Sequence, residues 1–152
     1  MANTYSRLYA MVVFAVMGRA HVLKPDFREE LFKYITGVVK NKGQKLMALG
    51  GVEDHIHIFL GFQPDIDLSD LVRDIKSNSS RFINENRLVR GKFMWQRGFG
   101  AFSYSHSHVD TVVRYVLHQE EHHMTASFMD KYLGLLDMYE IKYDDKYVFE
   151  FD

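Results

Sequence analysis

The segment Asp54-His55-Ile56-His57-Ile58-Phe59-Leu60 constrains this chain more than any other. Strict alternation over such a run predicts a β-strand, because successive strand side chains point to opposite faces. Ile56, Ile58 and Leu60 then enter a core on one face. His55 and His57 share the other face, about 7 Å apart. Two imidazoles presented side by side on a rigid strand can hold a metal ion, and they can equally be ordinary strand histidines. A second pair, His106-Ser107-His108, lies among serines with no apolar run around it. It reads as a turn or a helix entrance.

The rest of the chain supplies the scaffold for such a strand. Tyr5–Met17 reads as a strand rich in Val, Phe and Tyr. Pro25 and Asp26 open a helix whose Phe27, Leu31, Ile35, Val38 and Val39 form one stripe, and Asn41-Lys42-Gly43 closes it. Lys45–Gly50 and Val52–Phe62 read as two strands joined at Gly50-Gly51. Beyond Pro64, Ser69 is the expected cap of a helix carrying Leu71, Val72, Ile75, Ser79 and Phe82. Gly91–Ser105 suggests one or two strands. A final helix is expected over about Val109–Met129, capped by Ser107 or Asp110. A short strand is possible at Tyr147–Phe151. This order predicts an α+β domain of ferredoxin-like (RRM-like) split βαβ plan, with a mostly antiparallel sheet, helices on one face and an added C-terminal helix. One domain spans residues 1–152, with its core over about 5–129 and an acidic tail over about 130–152.

Composition narrows the classes of function. The chain has 152 residues, 47% of them hydrophobic, which is enough to fill a core. Without cysteine, disulfides and thiolate metal sites are excluded. The apolar stretch Leu8–Gly18 lacks a signal-peptide cleavage site and is too short to span a bilayer, so a cytoplasmic protein without membrane contact is expected. The net charge of −1 hides an uneven distribution. Residues 137–152 hold six acids and two bases. No acid occurs between Asn86 and Val109, where Arg87, Arg90, Lys92 and Arg97 fall. With Arg73 and Lys76 on the preceding helix, these are candidate phosphate contacts, or simply a solvated surface. Phe93, Trp95, Phe99, Phe102 and Tyr104 lie among them and can stack bases or pack the sheet.

Thr111–His123 reads Thr-Val-Val-Arg-Tyr-Val-Leu-His-Gln-Glu-Glu-His-His. Helical spacing gives a core stripe of Val112, Val113, Val116 and Leu117. Beside it run Tyr115, Gln119 and His122 at i, i+4 and i+7. A plain amphipathic helix with a polar shoulder would look the same.

Taken with the histidine pair, these residues carry a resemblance. His55-Ile56-His57 resembles the HUH motif of single-strand DNA nucleases. Tyr115-x-x-x-Gln119 followed by His122-His123 resembles the tyrosine helix of the single-domain insertion-sequence transposases of that superfamily. Leu71–Ser80, ending Ile75-Lys76-Ser77-Asn78-Ser79-Ser80, and Trp95–Ser103 resemble further stretches of the same family, in order and spacing.

The resemblance implies a metal-dependent transposase that cleaves and rejoins single-stranded DNA through a 5′-phosphotyrosine, at hairpin-bearing element ends. Tyr115 would be the nucleophile, and His55, His57 and Gln119 the ligands of Mg²⁺ or Mn²⁺. His122 is a candidate for orientation or proton transfer. A homodimer with active sites completed in trans is implied as well. The alternatives are a non-mobile HUH endonuclease, a non-catalytic single-strand nucleic-acid-binding module, or a metallohydrolase using Asp54. Strand alternation turns Asp54 away from His55, against the last of these.

Overall fold

Among the described residues, four antiparallel strands and four α-helices build the domain. The structure, a computed structural model, describes residues 3–118 and 128–144. Strand β1 (Leu8–Ala15) lies inside the sheet, paired with β3 (His55–Phe62) on one side and β4 (Gly100–Ser103) on the other. Strand β2 (Lys45–Gly51) closes the far edge, giving the order β2-β3-β1-β4. This is the expected split βαβ order.

Helix α1 (Pro25–Asn41) starts on Pro25, whose ring pre-sets a helical φ. Its Phe27, Leu31, Ile35 and Val39 recur every fourth residue and are all buried. Helix α2 (Leu68–Glu85) buries Leu71, Val72, Ile75, Ser79 and Ile83. Both helices cover one face of the sheet, against Val12, Phe14, Ile56, Ile58 and Leu60. The opposite face carries a second core of Met11, Val13, Phe59 and Phe102. It is covered by Val112 and Val116 of α3 (Val109–Leu117) and by Leu136 of α4 (Phe128–Met138). Among the described residues no helix is long and apolar enough to cross a membrane.

The structure departs from sequence expectation at several element ends. Gly50 and Gly51 do not form the turn between β2 and β3. Both lie in β2, and the chain reverses at residues 52–54. The cap of α2 is Asp67, whose carboxylate accepts from the Asp70 amide at 3.2 Å, two residues before the expected Ser69. In Gly91–Ser105 the only strand is β4, with one isolated bridge from Trp95 to Val16. The N-cap of α3 is His108, whose side chain makes no capping bond, instead of Ser107 or Asp110. The helix does not run on to Met129. His118 leaves helical geometry at φ −113°, ψ 37°. Helix α4 was not expected, although Tyr132, Leu136 and Tyr139 carry an i, i+4, i+7 signal. The possible strand at Tyr147–Phe151 lies outside the described residues.

Candidate active site

His55 opens β3, and the pleat sends it and His57 to the face covered by α3. Each is 2% exposed. Their ring centroids are 5.2 Å apart.

Asp54 stands in the turn just before the strand, outside the alternation that would have turned it away. Its carboxylate is 1% exposed and accepts from His55 Nδ1 at 2.8 Å. The other oxygen faces Arg19 Nε at 3.4 Å and His21 Nε2 at 3.8 Å. Burial alone would raise the Asp54 pKa. The bond from His55 and the charges of His55, Arg19 and His21 outweigh it and hold the carboxyl below its ordinary value. An ionised carboxylate can only accept, so His55 keeps a proton on Nδ1, and Nε2 is the nitrogen that can offer a lone pair when the ring is neutral.

Tyr115 reaches this pair from α3. Its ring meets His57 nearly edge-on, with centroids 5.6 Å apart at 85°. One glycine lets α3 come this close. Gly50 lies opposite His57 in the β2–β3 ladder, and a β-carbon there would collide with the Val116 carbonyl. The bare backbone at Gly50 therefore lets α3 settle onto the sheet beside the histidines.

Other phenols line the same face. Tyr104 packs edge-on against Phe59, with centroids 6.2 Å apart, and Tyr139 donates to the Ser103 carbonyl at 2.7 Å. Burial raises the Tyr104 pKa far above that of a free phenol, with Tyr139 and Tyr115 adding to the effect. Tyr104 is therefore a neutral phenol at any ordinary pH.

The donor chemistry fits a divalent metal. Two imidazoles ligating one ion at about 2.1 Å bring their ring centres to roughly 5 Å, close to the observed separation. A carboxylate on the remote nitrogen of a ligating histidine is the usual arrangement around such ions. Among the described residues no cluster of three or more His, Asp or Glu side chains completes a site. Gln119 and His122 lie outside the described residues.

The six basic candidates do not gather at the histidines. Lys76 donates to the carbonyls of Gln96 and Gly98, each at 2.7 Å, and lies 5.4 Å above the Phe14 ring on the far side of the sheet. Arg73 is paired with Asp70 at 3.2 Å and Asp74 at 3.8 Å. Arg73, Lys76 and Arg97 border a 470 Å³ cavity between α2 and residues 94–99. Arg87 and Lys92 flank a separate cavity just beyond α2, and Arg90 is exposed nearby. Of the interleaved aromatics, Phe93, Trp95 and Phe102 are buried, Tyr104 is half-buried, and Phe99 reaches solvent. The pair His106-Ser107-His108 forms a 3-10 turn at the entrance to α3. The sequence did not single out Gly50 or the orienting role of Asp54. The adjacency of Asp54 to the histidine pair was the available signal.

The family model described as "Transposase IS200 like" matches residues 4–119. A Deinococcus radiodurans R1 crystal structure described as a candidate transposase is 20% identical. The match covers 76% of this chain and 93% of that one, with a TM-score of 0.64. A REP-associated tyrosine transposase bound to a REP hairpin is 17% identical. That match covers 76% of this chain and 68% of the other, with a TM-score of 0.57. A search of curated proteins finds no match.

Proposed function

The chain belongs to the family of IS200-like transposases, and from that premise we propose that it cuts and rejoins single-stranded DNA through Tyr115. The observation that carries this proposal is the Tyr115 ring against His57, on the face where His55 is oriented by Asp54.

In the proposed reaction the Tyr115 phenolate attacks phosphorus and the bond to the 3′ oxygen breaks. The electron pair leaves with that oxygen, which takes a proton and becomes a free 3′ hydroxyl. The 5′ side stays on the enzyme as a phosphotyrosine. A second 3′ hydroxyl can attack this ester and displace Tyr115, so strands are exchanged without ATP. A free phenol has a pKa of about 10 and needs help to ionise. Tyr104 is no base for this proton, because it is itself held neutral. His122 is the proposed proton acceptor.

His55, His57 and Gln119 are the proposed holders of Mg²⁺ or Mn²⁺, with Asp54 fixing the His55 ring. Such an ion would supply Lewis acidity to the scissile phosphate. The hairpin on the REP-associated relative supports folded single strands as substrates. A homodimer is part of the same proposal.

The test is incubation with end-labelled single-stranded DNA from the flanks of the gene, with Mg²⁺ or Mn²⁺ and with EDTA. An SDS-stable adduct that needs metal and vanishes in Tyr115→Phe is expected. Cleavage without an adduct would replace Tyr115 by water as the nucleophile.

A further inference from the structure

The face that carries the histidines does not end at Tyr115. Following β3 away from His57, the next side chain on that face is Phe59 and the one after it is Gly61. Gly61 pairs with Tyr9 of β1 on one side and with Lys45 of β2 on the other. Directly paired strand residues share a face, so a phenol and an ammonium flank a position that has no side chain. A β-carbon at Gly61 would meet Tyr9, Lys45 and Met47 at 3.7 Å each, ordinary contact distances. The missing side chain is therefore not forced by crowding. It leaves an open floor, and a cavity of 300 Å³ stands over it.

The walls of this cavity are one-sided in charge. Arg7 and Lys45 line it together with His106, and among the described residues no carboxylate does. Neither Arg7 nor Lys45 is ion-paired among the described residues. Tyr9 is held in place from two sides. Its ring stacks on Phe59 at 5.9 Å, and its hydroxyl is 2.9 Å from His106 Nδ1. The cavity thus joins a fixed aromatic ring, two cations and a gap between them. Gly61 stands four positions along the strand from His57, about 13 Å away.

We propose that this cavity is a nucleotide subsite for the strand flanking the cleaved phosphate, with Arg7 and Lys45 on a backbone phosphate and the sugar-base unit over Gly61 against Tyr9. The proposal rests on the reading of the protein as a single-strand DNA transposase. Phe59 lies fully buried beneath α3 between the two places, so the proposed strand runs over the protein surface to the Tyr9–His106 pair and not along the sheet. Phosphate contacts set affinity and salt dependence, while a ring beside them stacks any base.

The test is equilibrium binding of a labelled single-stranded oligonucleotide from the gene's flanks, measured across a salt series with EDTA present. The Arg7→Gln/Lys45→Gln protein is expected to bind roughly tenfold more weakly, with a salt slope shallower by about 1.4 for two lost phosphate contacts. Gly61→Val keeps every charge, suits a strand and fills the floor, so it is expected to weaken binding as well. Lys33→Gln/Lys40→Gln removes two exposed cations from α1, on the other side of the sheet, and is the control. An unchanged slope in the Arg7/Lys45 protein, unchanged affinity in Gly61→Val, or an equal loss in the control would each overturn the subsite. Adduct formation by the unaltered protein separates the two readings. An adduct with no effect of these variants removes the subsite alone. The expected binding changes without any adduct remove the tyrosine chemistry and leave the subsite standing.

Discussion

Gly50 lies beneath the Val116 carbonyl, so closely that a single methyl group at position 50 would overlap the oxygen. That contact seats α3 on β2 one residue away from Tyr115 and directly across the ladder from His57. Gly50→Ala is expected to lift α3, at about 1–3 kcal/mol of stability for an overpacked site. Misplacing the nucleophile should lower the rate of adduct formation by tenfold or more. Thermal unfolding and single-turnover adduct assays on the same protein measure both effects. A stable variant with full adduct rate would show that α3 is placed by other contacts.

Asp54 is the next group to test, because it holds His55 from a fully buried position. Asp54→Asn keeps the size and an accepting oxygen but removes the charge that fixes the His55 tautomer. Losing such a partner typically weakens metal binding 10- to 100-fold. Calorimetric titration with Mn²⁺ should show that loss, and the adduct rate should recover at saturating Mn²⁺. Unchanged Mn²⁺ affinity would leave Asp54 a purely structural role with Arg19 and His21.

Much of this arrangement was legible in the residues. The apolar alternation of β1 and β3 and the four-residue stripe of α1 are local patterns, and each reappears as a buried face. The facing of His55 and His57 follows from the same period of two. What the sequence hid is non-local. Gly50-Gly51 has the composition of a turn, but Gly50 is small because a helix from sixty residues further on rests on it. Asp54 escapes strand alternation because β3 starts only at His55. The end of α3 at Leu117 carries no Gly or Pro to announce it.

Lys76 illustrates the same limit from the side of charge. A lysine in a basic stretch suggests phosphate, yet its ammonium bonds two carbonyls of the segment that leads into β4. Lys76→Met should therefore destabilise the protein by about 1–3 kcal/mol, the range for bonds to a charged group. The salt dependence of DNA binding should stay as it is. Urea unfolding and the salt series measure the two effects. A shallower salt slope with unchanged stability would restore Lys76 as a DNA contact.

The anchor beside Lys76 is a buried pair, Trp95 and Ser79. The indole Nε1 donates to Ser79 Oγ at 2.9 Å, and the Ser79 hydroxyl donates in turn to the Lys76 carbonyl at 3.2 Å. The indole also meets Phe14 and Phe93 edge-on at 4.7 and 4.9 Å. Trp95→Phe removes one buried hydrogen bond and opens a small void, a combined cost of about 2–3 kcal/mol. Ser79→Ala alone should cost about 1–2 kcal/mol through the same bond. The two losses share an interaction, so the double variant should fall short of their sum by about 1 kcal/mol. Additive losses in urea unfolding would mean that the indole is held by ring packing and the hydrogen bond contributes nothing.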